Sequence, residues 1–200
     1  METDTRTQLL EATIAQISLG GESSVRVSTV ASAVGVREPS VYHFFKNREA
    51  LVEAAQIERY RRSYMEMIVP FGMAVQMSDS LEEFERACRK ILLMIFSPER
   101  HHVRAIRLNV LGAAQTNSRI LAAVNQTNSI VISDLAEVIG EARNRGWITN
   151  SFDDRATAYW ITGQINGRVM AEMNQDDVDL DEWNQVAVAA VLAVFKSEVK

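Results

Sequence analysis

Apolar residues return every three or four positions through almost the whole chain, and nowhere do they alternate with period two over a useful length. That spacing gathers them on one side of an α-helix and cannot line one face of a strand. With three prolines and nine glycines among 200 residues, few places interrupt such helices. The pattern predicts an all-α fold. Leu10, Ile14 and Ile17 mark a first helix from about Asp4 to Leu19, stopped by Gly20 and Gly21. A second, short helix covers Val27 to Val34 and ends at Gly35. A third runs from about Glu38 to Phe45. Asn47 then caps a long fourth helix with Leu51, Ala54 and Ala55 on its inner face.

Around Pro70, Phe71 and Gly72 the pattern loosens into a methionine-rich stretch, which reads as an interruption. Ser80-Leu81-Glu82-Glu83 is a capping box that opens a helix striped by Phe84, Cys88, Ile91, Leu92 and Ile95. Pro98 starts the next, which carries Val103, Ile106 and Val110 toward Gly112. A long helix from about Ser118 to Arg145 aligns Leu121, Val124, Val131, Leu135 and Val138. Ser151 to Asp154 opens another, with its acids at the favourable end of the dipole. Asp179 to Glu182 caps the last. We divide the chain into an N-terminal three-helix head, residues 1–47, and a larger helical domain, 48–200.

Several classes of function fall away. No apolar run approaches the ~18 residues of a membrane span. The start, Met1-Glu2-Thr3-Asp4, lacks the basic and apolar regions of a signal peptide. One cysteine, Cys88, fits a reducing compartment, so the expected location is cytoplasmic. It lies on an apolar stripe, the inert setting for a thiol. Without a glycine-rich phosphate loop or a nucleophile elbow, no enzyme activity and no cofactor are expected. His101 and His102 are adjacent and diverge on a helix, with no third ligand at metal spacing.

Residues 27–48 carry the most specific signal. Two short helices flank a turn at Gly35, where a left-handed backbone costs glycine little. Val27, Val30, Ala31, Val36 and Val41 provide the small contacts that set two helices at a steep angle, as in a helix-turn-helix. The positions Val30-Ala31, Gly35-Val36, Tyr42, Phe44-Phe45, Arg48 and Leu51 resemble the N-terminal pattern of the TetR family of transcriptional regulators. The detailed match spans about residues 5 to 55. Beyond it, only the number, length and order of helices agree.

The resemblance implies a cytoplasmic homodimer that grips double-stranded operator DNA, most simply a repressor released by a small-molecule effector. It assigns operator phosphates to Tyr42 and Arg48 and places residues 37 to 43 at the major groove. The DNA-facing set is then Arg26, Arg37, Glu38, Ser40, Tyr42, His43, Lys46 and Arg48. Arg26 stands where a capping threonine is usual, and Arg48 replaces a lysine. Glu38, in the first turn of the recognition helix, either accepts a hydrogen bond from cytosine N4 or simply complements the helix dipole. His43 is either a DNA contact or a plain surface residue. The net charge of −5 does not oppose this reading, because residues 1–62 hold eight Lys/Arg and eight Asp/Glu, leaving the excess acid in the remainder.

In the C-terminal part, Gly163 and Gly167 lie one turn apart inside a helix, where each costs up to ~1 kcal/mol relative to alanine. Close approach of another backbone would offset that. With Tyr159, Trp160, Met170, Val186, Ala190 and Val194 they form the expected dimer interface, a four-helix bundle across a two-fold axis. The other reading has the glycines admit Trp160 or Tyr159 within one subunit. Met65, Met94, Arg104, Asn109 and Gln126 are the candidate effector contacts, each of which also suits an ordinary core or solvated position. Two alternatives stay open: a ligand-independent regulator controlled by a partner protein, favoured by a solidly packed interior, and an all-α small-molecule carrier.

Overall fold

The computed structural model describes residues 2–174 and 176–197, with side chains for 5–64, 69–174 and 176–197. Among these residues there is no strand. Helices α1 (Glu2–Gly20), α2 (Val27–Val34) and α3 (Glu38–Phe44) form the head. The body follows as α4 (Arg48–Met77), α5 (Leu81–Phe96), α6 (His101–Ala114), α7 (Ser118–Asn144), α8 (Asp154–Glu172) and α9 (Leu180–Lys196).

Short polar side chains start the body helices by satisfying N–H groups that have no partner within the helix. Asn47 accepts from Ala50 N–H at 2.8 Å, and Asp153 does the same for Ala156. Asp179 serves both Asp181 and Glu182. At α5 the capping box forms with a shift: Ser80 Oγ accepts from Glu83 N–H, while the Glu83 carboxylate reaches Asp79 N–H instead of that of Ser80.

The fourth helix corrects the expected interruption at Pro70. It runs unbroken to Met77 with Pro70 inside it. Proline lacks an N–H, so the bond to the carbonyl four residues back is lost. Burial of Phe71, Ala74 and Val75 in the body core offsets that loss and holds the turns beyond it.

Two separate cores meet along α4. The head core gathers Leu9, Leu10, Ile17, Val25, Val30, Ala31, Val41 and Phe45 with Leu51, Val52 and Ala55. The body core begins at Tyr60 and continues through Phe195. The head core thus extends past residue 47 into α4. The first two turns of α4 complete the head, because Leu51 and Ala55 point into it and are fully buried.

Polar groups are also buried where α6, α8 and α9 meet. Arg104 donates from Nε to Glu172 Oε1 at 3.1 Å and from Nη1 to the carbonyl of Ile95 at 2.6 Å. The Arg168 guanidinium lies 3.5 Å from the same carboxylate oxygen, and its Nε donates to Asn184 Oδ1 at 2.8 Å. His101 Nδ1 approaches the other carboxylate oxygen at 3.1 Å. Burial raises the Glu172 pKa, but hydrogen bonds from Arg104 and His101 outweigh it and hold the carboxyl below the ordinary range. The Cys88 thiol, buried in the body core, is pushed up to about 12 by desolvation and then by Glu85.

Candidate nucleic-acid interface

The turn between α2 and α3 is closed by backbone geometry. Gly35 takes φ 75°, ψ 24°, and Val36 N–H returns to the carbonyl of Ala31 at 3.0 Å. This is a helix stop that only a residue tolerant of positive φ accepts without strain. Ala31 and Val30 are buried beneath it, with Val41 of α3 against them. Arg26 offers α2 no side-chain cap, as its identity suggested. Instead the Gln16 side chain of α1 accepts the Arg26 N–H at 3.0 Å, tying the start of α2 to the first helix.

With Val41 and Phe45 directed inward, α3 leaves one polar side open. Arg37, Glu38, Ser40, Tyr42, His43 and Lys46 are all exposed. The structure thus leaves six of the eight expected DNA-facing residues exposed on α3 and at its two ends. Tyr42 is not idle there: its hydroxyl donates to Glu38 Oε1 at 3.3 Å, one helical turn away. The two residues that sequence reading treated separately are a pair, and a contact to DNA by either one competes with it.

Two arginines are placed differently from what the motif implies. Arg48 donates from Nε to the carbonyl of Val25 at 3.0 Å and from Nη2 to that of Glu22 at 2.5 Å. It clasps the start of α4 to the segment before α2 and is committed to the head's own structure. Arg26 is exposed but hydrogen-bonded to the carbonyls of Ser23 and Val25. Arg6 of α1 is an exposed cation whose guanidinium lies 5.2 Å from the centre of the Phe45 ring. Sequence spacing could not reveal it, since the proximity arises only when α1 folds over the end of α3.

These placements give separable outcomes for two substitutions. Lys46→Ala should leave the fold intact and reduce the slope of log K against log salt by about one for a lost phosphate contact. Arg48→Ala should leave that slope nearly unchanged and lower stability by roughly 1–3 kcal/mol, the scale of charge-assisted hydrogen bonds. Salt titrations of DNA binding and urea unfolding measure the two effects independently.

Elsewhere, most of the expected effector contacts do not converge. Arg104 is 1% exposed and fully engaged in the cluster with Glu172. Met94, Asn109 and Gln126 are exposed, and the Met65 side chain lies outside the described residues. The apolar stripe read for α7 is shifted at its ends: Leu121 is exposed and Val138 half-buried, while Ile120 and Ile139 beside them are buried, because one-turn repeats do not tell which edge of a stripe faces inward. The interior flanked by Phe71, Leu92, Leu135 and Ile161 holds a cavity of only about 10 Å³.

The expected dimer face is open. Tyr159 and Met170 are 51% and 74% exposed, Val186 is 64% exposed, and Trp160 is exposed beside them. A Cβ added at Gly163 or Gly167 would meet nothing within 4 Å, so neither glycine makes room for a side chain of its own subunit. Ala190 and Val194 of α9 are half-buried at the edge of this face.

A head built this way, on a body that is helical among the described residues, is a helix-turn-helix domain. Residues 9–55 match the family model for bacterial regulatory proteins of the tetR family. Solved structures agree over the full length. A chain from Rhodococcus sp. assigned to the TetR family of transcriptional regulators superposes with a TM-score of 0.69 at 22% identity, covering 96% of this chain and 99% of that one. A counterpart from Mesorhizobium loti gives 0.73 at 14% identity, covering 97% and 96%. The transcriptional regulator FadR from Bacillus subtilis, solved in complex with stearoyl-CoA, gives 0.61 at 17% identity, covering 94% and 98%. No curated protein matches the sequence significantly. Residues 9–55 thus match the DNA-binding segment of the TetR family, and the chain as a whole has the fold of these regulators.

Proposed function

We propose that the protein acts as a homodimeric repressor that binds a two-fold operator through α3 and is released by a small-molecule effector. The observation that carries this reading is the pair of open faces on one chain. The exposed side of α3 is polar and is flanked by the cations Arg37 and Lys46, whereas the exposed side of α8 and α9 is largely apolar and lined by glycine and alanine. A contiguous apolar face on a soluble chain marks an association surface. Two copies joined there present two recognition helices, which must be ~34–36 Å apart to enter successive major grooves. Arg6, Arg37 and Lys46 would contact phosphates, and Ser40, Tyr42 and His43 would approach base edges. Glu38 would either read a base or hold Tyr42.

The family structure solved with stearoyl-CoA supports a ligand-responsive reading, since it shows that this fold holds a small molecule in at least one relative. A specific observation favours the ligand-independent alternative: an interior cavity of about 10 Å³ has room for roughly one water. If an effector acts, it opens the core or binds outside it.

A footprint on the DNA upstream of the protein's own gene tests the proposal. Two protected half-sites should appear, centred about 10 base pairs or a multiple apart and related by inverted symmetry. A single asymmetric half-site, or no protection at all, would overturn the dimeric operator reading.

A further inference from the structure

A cleft of about 180 Å³ lies outside the body core, where the head meets the body. Ile14 and Ser18 of α1 form one wall, Arg59, Arg62 and Ser63 of α4 the floor, and His102 and Ile106 of α6 the other wall. Its charges are unevenly matched. Arg62 is neutralised, by Glu11 across the junction and by Glu58 on its own helix. Arg59 is not: its Nη1 donates to Gln56 Oε1 at 2.8 Å, while its Nε is buried without a hydrogen-bond partner. The acid that acts on Arg59 is Glu22, whose carboxylate is already bonded by the Gln56 amide.

A second cation stands behind the floor. Arg107 is 1% exposed and has no carboxylate partner among the described residues. Its Nε donates to Ser63 Oγ at 3.1 Å, and its guanidinium lies 4.1 Å from the centre of the Tyr64 ring. Ser63 therefore belongs to both the cleft and the buried arginine. Desolvation lowers the Arg107 pKa to about 10, consistent with a buried charge that no acid compensates. Buried cations ordinarily have counter-ions. Arg107 lacks one among the described residues, and half-buried Arg59 has only Glu22, which Gln56 already engages; beside an open space with apolar walls, this surplus of positive charge favours an anion there.

We propose that this cleft binds a small organic carboxylate, with Arg59 holding the carboxylate and Ile14 and Ile106 enclosing its apolar part, and that occupancy changes operator affinity. The regulatory half rests on the operator-binding reading above. The reason for it is position: the walls belong to the head and to the body, so an occupant ties one to the other and favours one head orientation. The cleft is also reached without opening the packed interior.

Benzoate serves as the probe, and benzyl alcohol as its uncharged counterpart, with binding to the full chain measured by calorimetry. Benzoate should bind saturably and benzyl alcohol at least ten-fold more weakly. Arg59→Gln should raise the benzoate Kd by at least ten-fold. Ser18→Phe, at an exposed position on the cleft wall, should do the same by filling the space. Equal binding of the two probes, absence of benzoate binding, or variants that bind benzoate as the native chain does would overturn the site. Operator affinity is then measured with and without saturating benzoate. A several-fold change in the native chain that is lost in Arg59→Gln supports regulation, and unchanged affinity removes it. Operator binding without benzoate is an independent measurement, so its failure sinks the DNA reading and leaves the carboxylate result standing.

Discussion

Glu172→Gln should lower the free energy of unfolding by about 3–5 kcal/mol, the cost of removing one partner from a buried ion pair. The substitution keeps shape and some hydrogen bonding but removes the carboxylate that Arg104 and Arg168 share. Both guanidiniums are 1% exposed, so water cannot replace the lost charge. Urea unfolding should show a lower midpoint with an unchanged slope. The difference also has a pH signature. The folded-state pKa of Glu172 is lowered, so its contribution is fully present above the unfolded value of ~4.3 and is lost as pH falls toward the folded one. The gap between native and variant chains should therefore be constant near neutrality and close in acid. A gap of under 1 kcal/mol at pH 7 would show that the arginines are satisfied by backbone carbonyls and Asn184 alone.

Gly167→Leu should separate the subunits without weakening either one. Nothing lies within 4 Å of a Cβ built at Gly167, so leucine meets no obstacle inside its own chain. Replacing an interior helix glycine even adds up to ~1 kcal/mol of helix propensity. Across the proposed two-fold interface of close-packed helices the same side chain would have no space, and overpacking costs ~1–3 kcal/mol at each of two symmetric sites. Sedimentation should show folded monomers. Their operator affinity should fall by about 10²–10⁴, because the second half-site no longer binds as an intramolecular step. Gly167→Ala, a far smaller intrusion, should remain largely dimeric. A leucine variant that stays a tight dimer with native operator affinity would place the interface elsewhere.

What could be read from the residues alone divides by distance along the chain. The α2-turn-α3 unit was legible because Ala31, Gly35 and Val41 act on one another within a dozen positions, where local backbone rules suffice. Gly163 and Gly167, one turn apart, marked the side of α8 that the structure leaves open, with nothing of the same chain within 4 Å of either added Cβ. Arg48 was not legible, since the carbonyls it clasps belong to residues 23 and 26 positions earlier. Arg104 offered no sign either, as its carboxylate partner is 68 positions away and nothing in its own helix marks it as buried. Pro70 misled for the opposite reason. Its local chemistry disfavours a helix, and burial of Phe71, Ala74 and Val75 prevails over it.

Because α4 completes the head core at one end and enters the body core at the other, it works as a rigid lever with a weak point. Pro70 removes one hydrogen bond from its lower half, the usual site for a helix to bend. From Pro70 to Arg48 is 22 residues, or about 33 Å of helix at 1.5 Å each. A tilt of about 5° at Pro70 therefore carries the head sideways by roughly 3 Å, a quarter of the ~12 Å width of a major groove. In a two-fold assembly both heads move, and the displacement doubles. A rearrangement near Pro70 too small to disturb the packing around it would thus be enough to take both recognition helices out of register with their half-sites.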